Sequence, residues 1–411
     1  MNERSFPIVQ TLLKYYKKFL KNLKIRSLTN NLKINIIITI NRSDDKIMEK
    51  VWVPRLEVDT KKIINNIESI KKFVGSNVEV MPIIKDKAYG TGINEQLEVF
   101  EKTGTKIVGV AIVDEGIALR EAGYNKEIFI LNQPFEEEIP AIAKYGLTIG
   151  VGSIEFLHKL GEYNYKFNIH IEIGSGMGRT GIRPSRVEEY LEELKKYPNI
   201  KIEGIYTHFS CSDCDEKYTK AQISSFNQAV EQVKKQISDL KYIHCCNSAG
   251  ILNFPEAHFN LVRPGILIYG YLPANGLKNK INLQPSIRLI SKISFLKEVG
   301  EGTSISYGRS FITKRKTKVA TVPLGYADGI RRALSNKGYV VIQGKKVPII
   351  GAVCMDCFMV DVTDIEDVTV GNDVFIWDNE KITVEDIANI YDTISYEVIS
   401  TISNRVIRKY I

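Results

Sequence analysis

The stretch "IIKDKAYGTG", residues 83–92, ends an apolar run on Lys85 and follows it at once with a tyrosine and two glycines. The preceding "VEVMPII" reads as a buried strand, and a lysine at the carboxyl end of such a strand points toward the mouth where α/β folds bind ligands. An amine held there is a nucleophile. Three other strand-like runs end on residues of matching use: His208 in "THFS", Asn247 and Ser248 in "CNSAG", and Arg263, Gly265 and Ile266 in "VRPGI". Together they can hold pyridoxal 5'-phosphate. Lys85 would form the Schiff base, Ser248 and the Gly265 and Ile266 amides would take the phosphate, and Arg263 would face the ring nitrogen.

The elements that must bring these residues together follow from the hydrophobic pattern. Between residues 58 and about 270, amphipathic helix patterns such as "DEGIALREAG", "VEEYLEELKKY" and "FNQAVEQVKKQIS" alternate with eight β-rich runs, from "VEVMPII" to "FNLVRPG". Eight strands separated by helices are what a (β/α)8 barrel requires, and in a barrel their carboxyl ends converge on one mouth. After about residue 284 the pattern changes to strands joined by short turns, with one helix candidate, "TVEDIANIY". The expected organisation is therefore a barrel over 52–283 and a mainly β domain over 284–411, preceded by a basic extension over 1–48.

Composition narrows the function further. The net charge of +8 is concentrated in that extension, which holds ten Lys or Arg against three acids, so the body is nearly neutral and offers no basic face for nucleic acid. No apolar stretch reaches the ~20 residues that cross a membrane. The leader lacks the small-residue cleavage site of a signal peptide, and the expected compartment is the cytoplasm, with the functional chain beginning near Met48. The six cysteines include two C-x-x-C pairs, Cys211/Cys214 and Cys354/Cys357, but about 140 residues separate the pairs. Structural zinc ligands arrive in a more compact module, so no metal is expected.

The motifs "IIKDKAYGTG", "GSGMGRTGI", "THFS", "NSAG", "VRPGILIYG", "SISYGRSF", "PLGYADGIRR", "GAVCMDCFMVDVT" and "ISYEVISTISNRVIRKY" resemble those of alanine racemases over residues 52–411. The resemblance implies a pyridoxal-phosphate barrel with a carboxyl-terminal β domain, in a homodimer whose active sites are shared between subunits. It implies L-alanine and D-alanine as substrates, and a supply of D-alanine for peptidoglycan. Lys85 would be one base and Tyr307, delivered by the partner subunit, the other. Tyr89 and Tyr396 match tyrosines flanking the phosphate, and His208 one packed near the ring. Arg179, Tyr326, Met355 and Asp356 match the region receiving the substrate carboxylate.

The chemistry accounts for these residue types. Racemisation takes a proton from one face of the α-carbon and returns one to the other, which calls for two bases on opposite sides. A phenol ordinarily ionises at about pH 10, so a tyrosine base needs cationic neighbours, which Arg179 or Arg263 could supply. Arginine opposite the ring nitrogen cannot accept its proton, which leaves a weaker electron sink suited to simple proton return. A decarboxylase of the related class would pair that nitrogen with an acid, and a non-catalytic pyridoxal-phosphate protein would lack the β domain. A serine or broader amino-acid racemase remains the alternative within the same chemistry.

Two departures from the family pattern stand out. Where members usually read K-x-D-T-G-M-x-R, this chain reads "EIGSGMGR", with Glu172 in the place of a lysine that is often carbamylated. Glu172 is expected to supply that carboxylate itself and to orient Arg179. In "KDKAYGTG", Asp86 and Lys87 follow the reactive lysine, but the spacing to Tyr89 and Gly90 keeps Lys85 as the nucleophile.

Overall fold

The protein is described by a computed structural model covering residues 54–93, 96–274, 277 and 280–411, so the expectation for the basic leader lies outside the described residues. After a first strand, β1 (Arg55–Val58), the chain lays down eight parallel strands: β2 (Glu79–Val80), β3 (Ile107–Val110), β4 (Glu127–Ile130), β5 (Thr148–Val151), β6 (Phe167–Glu172), β7 (Ile200–Tyr206), β8 (Tyr242–His244) and β9 (Leu261–Val262). Strands β3 to β8 form one continuous sheet. The ring closes through the β2–β9 pair, a bridge from Ile83 to Gly109, and the Arg263 amide donating to the Cys246 carbonyl at 2.9 Å. This is the expected (β/α)8 barrel, followed by a mainly β domain.

Helices cover the outside because their sequences carry one apolar face. Thr60–Val74 is capped by the Asp59 side chain, which accepts from the Lys62 amide, and buries Ile63, Ile67 and Ile70. The helix expected from "FNQAVEQVKKQIS" begins ten residues earlier, at Glu216, capped by Asp215. Its first turns bury Thr219 and Gln222 as well as Ile223, and these polar residues at inward positions mask the apolar period.

The barrel interior is filled by large, partly polar rings. Phe129 stacks on His170 with centroids 4.5 Å apart, and Tyr206 lies parallel to His244 at 5.1 Å. Glycine makes the room: a Cβ on Gly150 would stand 2.1 Å from the Tyr206 hydroxyl, and one on Gly204 2.9 Å from the His170 ring.

In the second part of the chain, nine strands form one sheet in the order Phe295–Val299, Thr317–Val322, Phe358–Asp361, Lys345–Ile350, Tyr339–Ile342, Asp373–Trp377, Ile287–Lys292, β1 and Ile407–Tyr410. All neighbours are antiparallel except β1 and the last strand. Sequence pattern assigned the segment from residue 52 to the barrel. Its β1 instead pairs with both Ile287–Lys292 and Ile407–Tyr410, because alternation in "RLEV" marks a strand without naming the sheet that takes it.

Tyr206 is fully buried and its hydroxyl donates to the Leu131 carbonyl at 3.0 Å, so it has little freedom to yield. Gly150→Ala is expected to lower unfolding free energy by about 1–3 kcal/mol through overpacking. Urea denaturation measures it, and an unchanged midpoint would show that the ring layer is not tightly packed.

Candidate active site

Lys85 opens a five-residue turn, Lys85–Tyr89, directly after the bridge that ties Ile83 to β3. Asp86, Lys87, Ala88 and Tyr89 all have positive φ, between 51° and 56°. Left-handed backbone costs a non-glycine residue about 1–2 kcal/mol, so four in succession need bracing from outside. Glu115 provides part of it: its carboxylate accepts from the Asp86 amide with one oxygen and from the Ala111 amide, at 2.8 Å, with the other. Gly90 ends the turn where a Cβ would be 2.8 Å from the Ile399 carbonyl oxygen.

The turn borders a cavity of about 290 Å3 at the carboxyl ends of the barrel strands. Its walls include Lys85, Tyr89, Arg179, His208, Asn247, Ser248, Arg263, Gly265 and Tyr396, nine of the residues expected from sequence. Three of them carry cationic side chains, and no carboxylate lines the described wall. Such a pocket attracts an anion. Lys85 is exposed to this open space, yet the surrounding protein still lowers its pKa below that of free lysine. Burial is the main cause and Arg179 adds to it, with Glu115 and Asp86 opposing.

Arg263 is 2% exposed, and its charge is met entirely by neutral partners. One terminal nitrogen contacts His244 Nδ1 at 2.6 Å; the other donates to the Thr207 carbonyl at 2.7 Å and the Cys245 carbonyl at 3.2 Å, and lies 3.4 Å from His208 Nδ1. A guanidinium only donates, so His244 must accept at Nδ1 and carry its proton on Nε2. That proton points at His170 Nδ1, 2.9 Å away, which in turn leaves the His170 proton on Nε2, a buried atom with no hydrogen-bond partner. Burial and the Arg263 charge hold His208 and His244 well below the usual histidine pKa, and His170 is pushed down to about 3, chiefly by burial. All three rings are neutral.

At the opposite wall the Ser248 hydroxyl accepts from the Gly265 amide at 3.0 Å and bonds the Tyr396 phenol. A Cβ on Gly265 would stand 2.2 Å from the Tyr89 hydroxyl, so only glycine lets the two meet. Hydroxyls from Ser248, Tyr89 and Tyr396, the Gly265 amide, a lysine amine and a buried arginine suit an aldehyde-bearing aromatic phosphate. Ile266 is buried immediately behind Gly265 and does not line the cavity.

The remaining expected residues lie elsewhere on this chain. Tyr307 sits at the tip of a hairpin, Ser304–Ile305 against Phe311–Ile312, and is 73% exposed. Tyr326, Met355 and Asp356 cluster near it: the Tyr326 and Ala327 amides donate to the Cys354 and Met355 carbonyls, and Ser306 lies 3.5 Å from the Cys354 sulfur. None of the four lines the cavity. Asp356 pairs with Arg405 at 2.8 Å.

Glu172 is buried at the end of β6, and no ion pair with Arg179 is found among the described contacts. Its Oε1 accepts instead from the hydroxyl of Thr180 at 2.6 Å, and its Oε2 has no partner. Glu172 is buried, whereas Arg179 is exposed. Burial raises the Glu172 pKa, with the Thr180 bond and the arginines opposing.

Sequence reasoning did not single out Asn132, Met177, Phe209 and Ser210, which also line the cavity, nor Glu115, His170, Tyr206 and His244 behind it. Asn132 stands two residues after the end of β4, so the strand-end rule that found Lys85 would have found it. The six cysteines are free thiols, and among the described residues no group of three or more His, Cys, Asp or Glu comes together as a metal site.

Comparison with known proteins matches residues 58–273 to the family described as alanine racemase, N-terminal domain, and residues 286–410 to alanine racemase, C-terminal domain. The alanine racemase of Halothermothrix orenii is 40% identical over 373 residues, covering 89% of this chain and 98% of its own. The chain belongs to the alanine racemase family. Alanine racemase 2 of Caldanaerobacter subterraneus subsp. tengcongensis is 39% identical, over 88% of this chain and 96% of its own length. Among solved structures, the alanine racemase of Clostridium difficile 630 superposes with a TM-score of 0.84 at 33% identity, covering 88% of this chain and 96% of that one. The alanine racemase from Bacillus anthracis with bound L-Ala-P gives 0.82 at 34%, covering 88% and 95%.

The neutral histidines give this alanine racemase fold an acid sensitivity. An unfolded histidine binds a proton near its ordinary pKa of 6.5, whereas folded His170 does so only at about 3. As pH falls through that window the unfolded chain takes up a proton that the folded chain refuses, so stability falls with pH. Melting temperature should drop from neutral pH to about pH 5, and His170→Gln should flatten the drop. An identical slope in the variant would mean that His170 does not contribute.

Proposed function

We propose that this protein interconverts L-alanine and D-alanine with pyridoxal 5'-phosphate, as a homodimer in which each cavity is completed by Tyr307 of the partner subunit. The observation that carries this reading is the cavity itself, where Lys85, Ser248, Gly265 and the buried Arg263 meet without a carboxylate in the described wall. Bound there, pyridoxal phosphate would supply the electron sink that lets the α-proton of an amino acid leave.

The chain's own residues would do the rest. Lys85, whose pKa is lowered by burial, is more readily neutral than a free lysine and can take or return a proton on one face. Arg263 keeps a permanent cation under the cavity and cannot take a proton from a ring nitrogen above it. Ser248, Tyr89, Tyr396 and the Gly265 backbone would hold the phosphate, with Ile266 packed behind Gly265 and Asn247 supporting Ser248 from the preceding position. His208, neutral beside Arg263, would pack against the ring. Arg179 would take the substrate carboxylate, with Tyr326, Met355 and Asp356 closing the entrance from the partner subunit. The exposure of Tyr307, Tyr326 and Met355 away from the cavity supports this division of the site between two chains.

A mixing experiment tests the shared site. Lys85→Ala and Tyr307→Phe should each lose nearly all racemisation of L-alanine. Mixed under conditions that exchange subunits, they should recover roughly a quarter of wild-type activity, because half of the dimers would be mixed and each would hold one intact site. Two inactive variants that stay inactive when shown to exchange would rule out the shared site, and carbon dioxide release by the wild type would point to decarboxylation.

Glu172 would act on Arg179 through its neighbour Thr180. Glu172→Ala should raise the KM for alanine about tenfold, in keeping with loss of one buried hydrogen bond, with a smaller change in kcat. Unchanged kinetics would remove Glu172 from the site.

A further inference from the structure

The last strand of the chain reaches back to the turn that carries Lys85, and its Arg408 is bonded in an unusual way. The guanidinium donates from Nε to the Gly90 carbonyl at 2.8 Å, from one terminal nitrogen to the Ser403 and Val406 carbonyls at 2.6 and 2.7 Å, and from the other to the Ile402 carbonyl at 2.7 Å. Among the described residues no carboxylate pairs with it. Half-buried, it spends its donors on backbone alone, three of the four acceptors lying in the loop that precedes its strand. That loop holds the arginine rigid, and the fourth bond passes the rigidity to Gly90. Two residues on, the Tyr410 hydroxyl donates to the Thr91 carbonyl at 2.5 Å. Gly90 and Thr91 are the residues that end the left-handed turn, where the Gly90 amide bonds the Asp86 carbonyl at 2.8 Å and the Thr91 hydroxyl bonds the Ala88 carbonyl at 2.6 Å.

We propose that Arg408 is a positioning residue for Lys85: by clamping the Gly90 carbonyl it holds the strained 85–89 turn wound, so that the lysine amine faces into the cavity. This rests on the functional reading above. At the end of the turn opposite Lys85 the barrel contributes side-chain contacts, with Gln96 donating to the Thr91 hydroxyl and Tyr269 packed on Tyr89 at 5.2 Å, but the backbone carbonyls of Gly90 and Thr91 are bonded from the carboxyl-terminal strand. Glu115 secures the start at Asp86, while the backbone of the finish is secured by the carboxyl-terminal segment, through Arg408, Tyr410 and the close approach of the Ile399 carbonyl to Gly90. Lysine in place of Arg408 keeps the charge but loses the planar fork that reaches four carbonyls in two directions.

The test compares wild type, Arg408→Lys and Tyr410→Phe as full-length enzymes, with two readouts beyond stability. One is the split between kcat and KM for alanine. The other is the pH dependence with which pyridoxal phosphate becomes fixed to Lys85 on borohydride reduction, located by peptide mapping. Arg408→Lys should lower kcat on the order of ten- to a hundredfold with little change in KM. It should also move the pH midpoint of Lys85 labelling upward, because an amine displaced from the cavity wall and from Arg179 regains an ordinary pKa. Tyr410→Phe should shift both in the same direction by less, and it serves as the test if Arg408→Lys does not fold. Variants that melt lower but keep the wild-type kcat and labelling midpoint would overturn the strap and leave Arg408 a structural residue. A wild type that neither labels at Lys85 nor racemises alanine would overturn the functional reading, and the strap with it.

Discussion

A permanent positive charge buried at the top of the barrel core constrains everything around it. Arg263 cannot shed its proton, and an unsolvated guanidinium without acceptors would cost several kcal/mol. The fold meets this cost with the Thr207 and Cys245 carbonyls and one imidazole nitrogen. The carbonyls are strand ends, so the arginine is solvated by the same backbone that builds the mouth. The imidazole fixes a tautomer that runs on through His244 to His170, and burial, with the charge adding to it, keeps every histidine near it neutral. Polar rings in the barrel interior then have to be accommodated, which explains glycine at 150 and 204. A carboxylate partner would have satisfied the charge more simply, but it would also have cancelled the positive field that fits the cavity to anions.

The second constraint is the conformation of the lysine turn. Four left-handed residues without a glycine do not hold themselves, and their strain is offset from two directions, by Glu115 within the barrel and by the carboxyl-terminal segment from outside. The nine-stranded sheet takes β1 as one of its strands and ends in the strand bearing Arg408 and Tyr410. The β domain is thus joined to the barrel at both ends of the described chain. Its helix Ser395–Ser400 also delivers Tyr396 into the cavity, so the barrel alone does not complete the cavity wall.

The barrel was legible because its signals are local. Each of the eight apolar runs became a strand, and the chemistry-bearing residues at their carboxyl ends met as the topology demands. Arg263, Ser248 and Gly265 could be paired with Lys85 on that rule alone. What sequence hid were interactions set by tertiary packing. Nothing in "KDKAY" announces four positive φ angles, since no residue there is glycine. "RLEV" gives a strand without a sheet. Glu172 ends its strand, but its bonding partner, the Thr180 hydroxyl, is set by the path of the following loop. Glu115, His170 and His244 look like an ordinary helix acid and two core histidines until Arg263 and the lysine turn are seen beside them.

The two groups of site residues differ in how they are held, and the difference bears on what each can do. The cavity group stands on strand ends and in a braced turn, where small displacements are resisted by the closed barrel. The Tyr307 group stands on hairpin tips that lean on one another: Ser306 on the Ala352 carbonyl, the Tyr326 turn on the 354–355 carbonyls, and Asp356 on Arg405, which also reaches the buried Asp328. On the division of labour proposed above, proton transfer would need Lys85 fixed to within a fraction of an ångström, which strand ends and a braced turn provide, whereas the Tyr307 group depends on contacts among neighbouring turns of its own domain.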